Sequence, residues 1–192
     1  MNTPAHLLIG AAMMARGKPA PIMYAALAGA MLPDLSLYLM AGVALFVLSI
    51  PPQIVFDELY FSSAWQTVFA IDNSFLVWGG LLGLAVWQHR PWAIALCCAA
   101  LLHLCMDFPL HHDDGRPHFW PLSGWVFESP VSYWDRRQGA ALIAPVEAVL
   151  ALAAVIVLWR ARPGWALSVL FALLLCAELW VVRQWLFFFA QS

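Results

Sequence analysis

Two stretches of this 192-residue chain, 139–159 and 164–190, stay apolar for longer than a bilayer's hydrocarbon core is thick. A helix crosses that core with about 20 apolar residues. Inside lipid the backbone must satisfy its own N–H and C=O groups, which helices do within a single segment. The fold expected is therefore all-α: a polytopic transmembrane bundle of about five to six helices, including short or broken ones, in one domain spanning 1–192. Composition agrees, with 64% hydrophobic and 10% charged residues against roughly 45–50% and about 25% in soluble domains. That balance excludes a disordered chain and an ordinary water-soluble globule. With nine Lys/Arg against eleven Asp/Glu, no basic face exists for a nucleic-acid backbone.

Two shorter runs, 74–87 and 92–108, face each other across Gln88-His89-Arg90-Pro91, where Pro91 suits a first helical position. The run 21–50 exceeds one span. Pro33-Asp34 interrupts it, giving one kinked helix or two short ones. Residues 4–15 make about three turns, too short to cross, so they lie at the interface or pack as a half-helix. Two long connections remain, 51–73 and 109–138, and the second is expected to cover the site. Long connections of this kind usually carry function. Cys97, Cys98, Cys105 and Cys176 all sit in apolar runs and read as small buried hydrophobes. The positive charges of the N-terminal segment follow its apolar stretch rather than precede it, so no signal cleavage is expected.

If the spans alternate, the turns at Arg16-Lys18, Arg90 and Arg160–Arg162 share one side and carry five Lys/Arg and no acid. The two long connections hold three Arg and seven acids. Positive residues in short loops stay in the cytoplasm, which turns the long connections outward.

Chemistry concentrates between His103 and His118, where four of the six histidines and His103's neighbour on the helix face, Asp107, lie within sixteen residues. At i and i+4, His103 and Asp107 share one helical face about 5–6 Å apart at Cβ and can hold one metal ion. Pro109 ends the helix, and the chain then offers His111, His112, Asp113 and Asp114 at that end, followed by His118. Imidazole with carboxylate suits zinc or another divalent transition metal, as one or more ions. The alternative is a solvated, His-rich loop. A histidine one turn inside a membrane helix nonetheless needs a reason.

Asp34 lies in an apolar run without a neighbouring cation and is read as a ligand or as the cap of a new helix. His6 follows Thr3-Pro4-Ala5 in a first helical turn and alone reads as a surface residue. Asp72-Asn73-Ser74 is a cap or a ligand, and His89 is surface. Asp135 closes the polar connection. Glu147 is a ligand, a partner to a histidine, or a base. Glu178 pairs with Arg183 or holds a proton. Trp65, Trp120, Trp125 and Trp134 form an interfacial belt or grip an acyl chain or sugar.

The order Thr3-Pro4-Ala5-His6, Leu32-Pro33-Asp34 and His103-x3-Asp107 resembles the bacterial membrane-bound metal-dependent hydrolase family of the inner membrane, over most of the chain. Asp107-Phe-Pro-Leu-His111, Phe119-Trp-Pro-Leu and Ser129-Pro-Val-Ser-Tyr-Trp-Asp135 resemble one branch of it. The His-x3-Asp-x3-His order is also similar, at the site alone, to zinc-dependent bacterial phospholipase C and related nucleases. The resemblance implies His6, Asp34, His103 and Asp107 as ligands, with His111 or His112 and His118 close behind. Many members carry a His-Arg-Gly-x-Thr-His-Ser segment where this chain reads Ile71-Asp72-Asn73-Ser74-Phe75, leaving Asp72 as the one substitute.

The function expected is a metal-dependent hydrolase of lipid or envelope phosphoesters, with Asp107, Asp114 or Glu147 as general base and Asp72, Asp113 and Asp135 as supporting or further ligands. It would be a multi-pass protein of the bacterial inner membrane with its site on the periplasmic side, membrane lipid as its partner and no nucleic acid. A structural metal clip and a carrier using Asp34, Glu147 and Glu178 as a buried path are the rivals. The carrier predicts acids strung across the membrane, and the hydrolase predicts them clustered at one face.

Overall fold

Small residues dictate how these helices meet. In lipid there is little hydrophobic drive between helices, so association relies on close backbone packing where side chains are small. The computed structural model describes residues 1–184. Its helices are α1 (Thr3–Ala15), α2 (Ala20–Gly42, prolonged by a π-turn at Val43–Val47), α3 (Pro52–Ile54, followed by a π-turn at Val55–Leu59), α4 (Ser63–Asp72), α5 (Phe75–Trp87), α6 (Pro91–Asp107), α7 (Ala140–Arg160) and α8 (Trp165–Arg183). No strand occurs among the described residues. Ala20–Val47, Ser63–Trp87, Ala140–Arg160 and Trp165–Arg183 are each long and apolar enough to cross a membrane. The protein is a helical, multi-pass membrane bundle.

At 13 residues, α1 is about 20 Å long and does not span. It is nevertheless the centre of the bundle, packed against α2, α6, α7 and α8. Its Ala5, Leu8, Ala11 and Ala15 are fully buried against Ala26, Ala30, Ala99, Ala151 and Val155. The closest approach is between α2 and α6. A Cβ on Gly29 would stand 2.0 Å from the Leu96 carbonyl oxygen, so only glycine lets these backbones touch. The bundle's outer face is apolar, with Phe46, Leu142 and Trp165 each more than three-quarters exposed, as lipid-facing residues must be.

The run 21–50 takes the one-helix alternative rather than two short helices, and two other expectations are corrected. α2 continues through Pro33, because a buried proline costs one intrahelical bond while its flanks keep theirs. Asp34 therefore caps nothing. The connection 51–73 is largely helical, and α4 runs with α5 in one apolar segment. Ser62 caps α4 by accepting from the Trp65 N–H at 3.4 Å, and Ser74 caps α5 through Leu76 and Val77. Cys105 and Cys176 are exposed rather than buried, since an apolar exterior accepts a thiol as readily as a core does. The last run, expected to reach residue 190, is described as helix to Arg183, and residues beyond 184 lie outside the described part.

Shared cavities fix which helix ends lie together. One touches Met14, Lys18, His89 and Pro91; another touches Gly17, Lys18, Arg162 and Pro163. The three basic turns thus gather at one end of the bundle. The start of α1, the end of α6 and the 109–138 segment gather at the other.

Candidate metal centre

Asp107, the last residue of α6, is the hub of that second end and is 5% exposed. Its Oδ1 meets His6 Nε2 at 2.8 Å and also the Met1 amino group. Its Oδ2 lies 3.2 Å from His103 Nε2 and 3.5 Å from His111 Nε2. His6, which alone reads as a surface residue and which the resemblance makes a ligand, is fully buried and stacks on His103, with ring centroids 3.7 Å apart. The tertiary position of α1 makes the difference, since its first turn points into the bundle.

The tautomer of His103 can be argued from its partner. Its Nδ1 lies 2.8 Å from the Ala30 carbonyl oxygen, and a carbonyl only accepts, so Nδ1 carries the proton. In the neutral ring Nε2 is then a bare lone pair. It is buried without a hydrogen-bond partner, and it faces Asp107 Oδ2 and, at 3.6 Å, Asp34 Oδ1. A lone pair aimed at two carboxylates is repelled, and either a proton on Nε2 or a cation between them removes the repulsion. Histidine ligands are typically held this way, with the far nitrogen bonded to a carbonyl. One ligand atom each from His6, His103 and Asp107 fall within 4.8 Å of one another. Two donors on a single zinc ion are at most about 4.4 Å apart, so small side-chain movements bring the set to an ion.

Asp34 joins from mid-α2. Its Oδ2 accepts from Thr3 Oγ1 at 2.8 Å, and that hydroxyl lies 2.7 Å from Tyr38 OH. His111 joins from the loop, with Nδ1 2.9 Å from Asp114 Oδ2. Burial alone would lower the His111 pKa, but the carboxylates of Asp107 and Asp114 outweigh it and raise it to about 9. Burial likewise pushes Asp114 up, yet the His111 imidazole and the Arg116 guanidinium hold it below the usual carboxylate range. Trp134 Nε1 donates to Asp114 Oδ2 at 3.0 Å, so this tryptophan orients a carboxylate rather than only lining a belt.

Beside these groups is a cavity of about 40 Å³, space for a few water molecules. Asp34, Asp107, His111, Asp114, Arg116, His118, Tyr60 and Tyr133 line it. His118 bonds the Asn73 carbonyl through Nδ1 at 2.7 Å, which leaves its Nε2 unprotonated in the neutral ring. Burial, its first cause, lowers its pKa.

The remaining expectations separate. His112 turns away and bonds the Ser129 carbonyl at 2.6 Å. Asp113 is exposed, Asp72 ends α4 beside Asn73 but does not itself line the cavity, and Asp135 caps a turn by accepting from the Arg137 N–H. Glu147, a candidate base, does not line the cavity; its Oε2 accepts from Asn2 Nδ2 at 2.7 Å and from the Asn2 N–H at 3.2 Å. Glu178 does not pair with Arg183, which stacks on Trp180. It lies 3.4 Å from Asn2 Nδ2, because antiparallel α8 returns it to the end of the bundle where α1 begins.

Sequence reasoning missed Asn2, Tyr60 and Arg116, and it noted Thr3 only as the start of the motif before His6, not as a partner of Asp34. A signal for Arg116 existed only in its closeness to the histidine run. No family model, curated protein or solved structure matches the chain.

Proposed function

We propose that this chain is a membrane metal-dependent hydrolase that cleaves phosphoester bonds of lipid or other envelope molecules. The observation that carries the reading is the His103 Nε2 lone pair, fixed by the Ala30 carbonyl and aimed at Asp107 and Asp34. A metal cation there would relieve the repulsion, as a proton on Nε2 would, and the resemblance to the membrane-bound metal-dependent hydrolases favours the metal. His6, Asp34, His103, Asp107 and His111 would hold a zinc-type divalent ion, with His118 across the cavity available to a second. Such an ion, when bound, polarises a phosphoryl oxygen and brings the pKa of bound water towards about 7.

The protein's own groups supply the rest. Asp114, oriented by Trp134 and in contact with His111, is placed to take a proton from water in the cavity. Asp107 positions the imidazoles around it. The adjoining space for water favours an open, reactive site over a closed structural clip. The clustering of Asp34, Asp107, Glu147 and Glu178 at one end favours a site over a carrier path through the membrane depth. The basic turns at the opposite end support a bacterial inner-membrane orientation with the site on the periplasmic side, within reach of lipid headgroups. Metal analysis of detergent-purified protein tests the reading. Wild type carries a stoichiometric divalent metal and His103→Ala loses it; a full metal complement in His103→Ala would reject the assignment.

A further inference from the structure

Arg116 is a buried cation that no described carboxylate touches, although Asp114 lies near enough to feel its charge. It is 8% exposed, yet no carboxylate among the described residues forms an ion pair with it. Its partners are neutral: Nη2 donates to Tyr60 OH at 2.5 Å and Nη1 to Gln66 Oε1 at 3.4 Å. The guanidinium also lies against two rings that touch each other, 4.8 Å from the Tyr60 centroid and 4.4 Å from that of Phe69, whose centroids are 5.5 Å apart. Burying a charge without a counter-charge in direct contact is expensive, and the rings return only part of that cost. The chain spends both long connections on this arrangement, since Tyr60, Gln66 and Phe69 come from one and Arg116 from the other. The residue lines the same cavity as Asp34, Asp107 and His111.

We infer that Arg116 is a substrate-binding residue: its guanidinium takes the oxygens of a phosphoryl group held against the His/Asp cluster. This rests on the metal-hydrolase reading in that a bound ion offsets the cavity's carboxylates, which would otherwise repel an anion. A guanidinium has five N–H donors in a rigid fork, and the protein uses only part of them. Planar, two-pronged donation suits phosphate oxygens, and an ammonium does not reproduce it. The two rings and the bonds to Tyr60 and Gln66 hold the fork before the ligand arrives, so little side-chain freedom is lost on binding. The phosphoryl group belongs to a lipid headgroup or to free phosphate, and both present the same oxygens.

The test uses the full chain in detergent, with inorganic phosphate as the probe in equilibrium dialysis and zinc content measured on the same samples. Wild type, zinc-loaded, binds phosphate. Arg116→Gln weakens binding at least about tenfold while zinc content is unchanged, and Arg116→Lys recovers only part. Should Arg116→Gln fail to fold, Tyr60→Phe serves in its place: freeing the fork weakens phosphate binding severalfold with zinc retained. Phosphate binding equal to wild type in a folded, zinc-loaded Arg116→Gln or Tyr60→Phe protein overturns the inference, and so does a wild type that binds no phosphate. Chelator-stripped samples separate the two readings. If wild type never takes up zinc, the metal reading fails, and the Arg116 inference stands or falls on the wild-type to Arg116→Gln ratio in metal-free protein. Short-chain phosphatidic acid then identifies the source. Displacement of phosphate at a lower concentration than unlabelled phosphate needs supports a headgroup, and equal displacement supports the free ion.

Discussion

The imidazoles of His6 and His103 lie face to face, 3.7 Å between centroids and 19° from parallel, although they come from opposite halves of the chain. Both direct Nε2 at Asp107, one at each carboxylate oxygen. The stack exists because α1 is drawn into the bundle by alanine and glycine contacts with α2 and α6. Its consequences can be measured.

Removing either ring is expected to abolish metal retention, since each would supply a ligand. His103→Ala deletes the one fixed by Ala30, and His6→Ala deletes both a ligand and the face against which the His103 ring rests. Elemental analysis of the purified variants should show metal reduced at least about tenfold in both, while a variant at His89, in the basic turn, keeps the wild-type content.

His111 and His112 are neighbours in sequence and opposites in space. His111 faces Asp107 and Asp114, and His112 faces Ser129. His111→Ala should weaken zinc binding by about an order of magnitude in a competition titration with a chelator. His112→Ala should leave it within about twofold. The reverse pattern would reassign the ligand.

Gly29→Ala should destabilise the bundle by about 3 kcal/mol or more, in the upper range for overpacking, because its Cβ would meet the Leu96 backbone. Gly79→Ala and Gly83→Ala meet nothing within 4 Å and should be neutral, or stabilising by about 0.5–1 kcal/mol through helix propensity. Thermal unfolding in detergent, followed by circular dichroism, separates the two classes.

Asn2 bridges Glu147 and Glu178, and the bridge anchors the start of α1. Asn2→Ala removes the side-chain donor that the two buried carboxylates share and should cost about 1–3 kcal/mol. Glu147→Gln, which keeps an acceptor for Asn2, should cost less. If Glu147 were instead the catalytic base, Glu147→Gln would remove turnover without moving the melting temperature.

Opposite ends of the bundle should label from opposite sides of the membrane. Lys18→Cys and Asp113→Cys, probed with a membrane-impermeant maleimide, should react on different sides, with Asp113→Cys accessible in intact spheroplasts. Both reacting from one side would invert the charge-based topology.

Much of this was legible along the chain. Apolar run length alone specifies membrane helices, because the bilayer's thickness fixes how many residues a helix needs. The i, i+4 spacing of His103 and Asp107 specifies a shared face, because helical geometry is local. The run of histidines after Pro109 marks the site's end of the molecule for the same reason. What spacing along the chain does not encode is which distant helix supplies the carbonyl that sets His103's tautomer, that a 13-residue helix sits at the centre rather than at the surface, or that Glu178 returns to Asn2. Nor does it distinguish His111 from His112, whose directions are set by the loop's bonds to Ser129 and Leu110. Those are long-range outcomes of packing. They depend on where alanine and glycine let backbones approach, and that is decided only when all the helices are in place together.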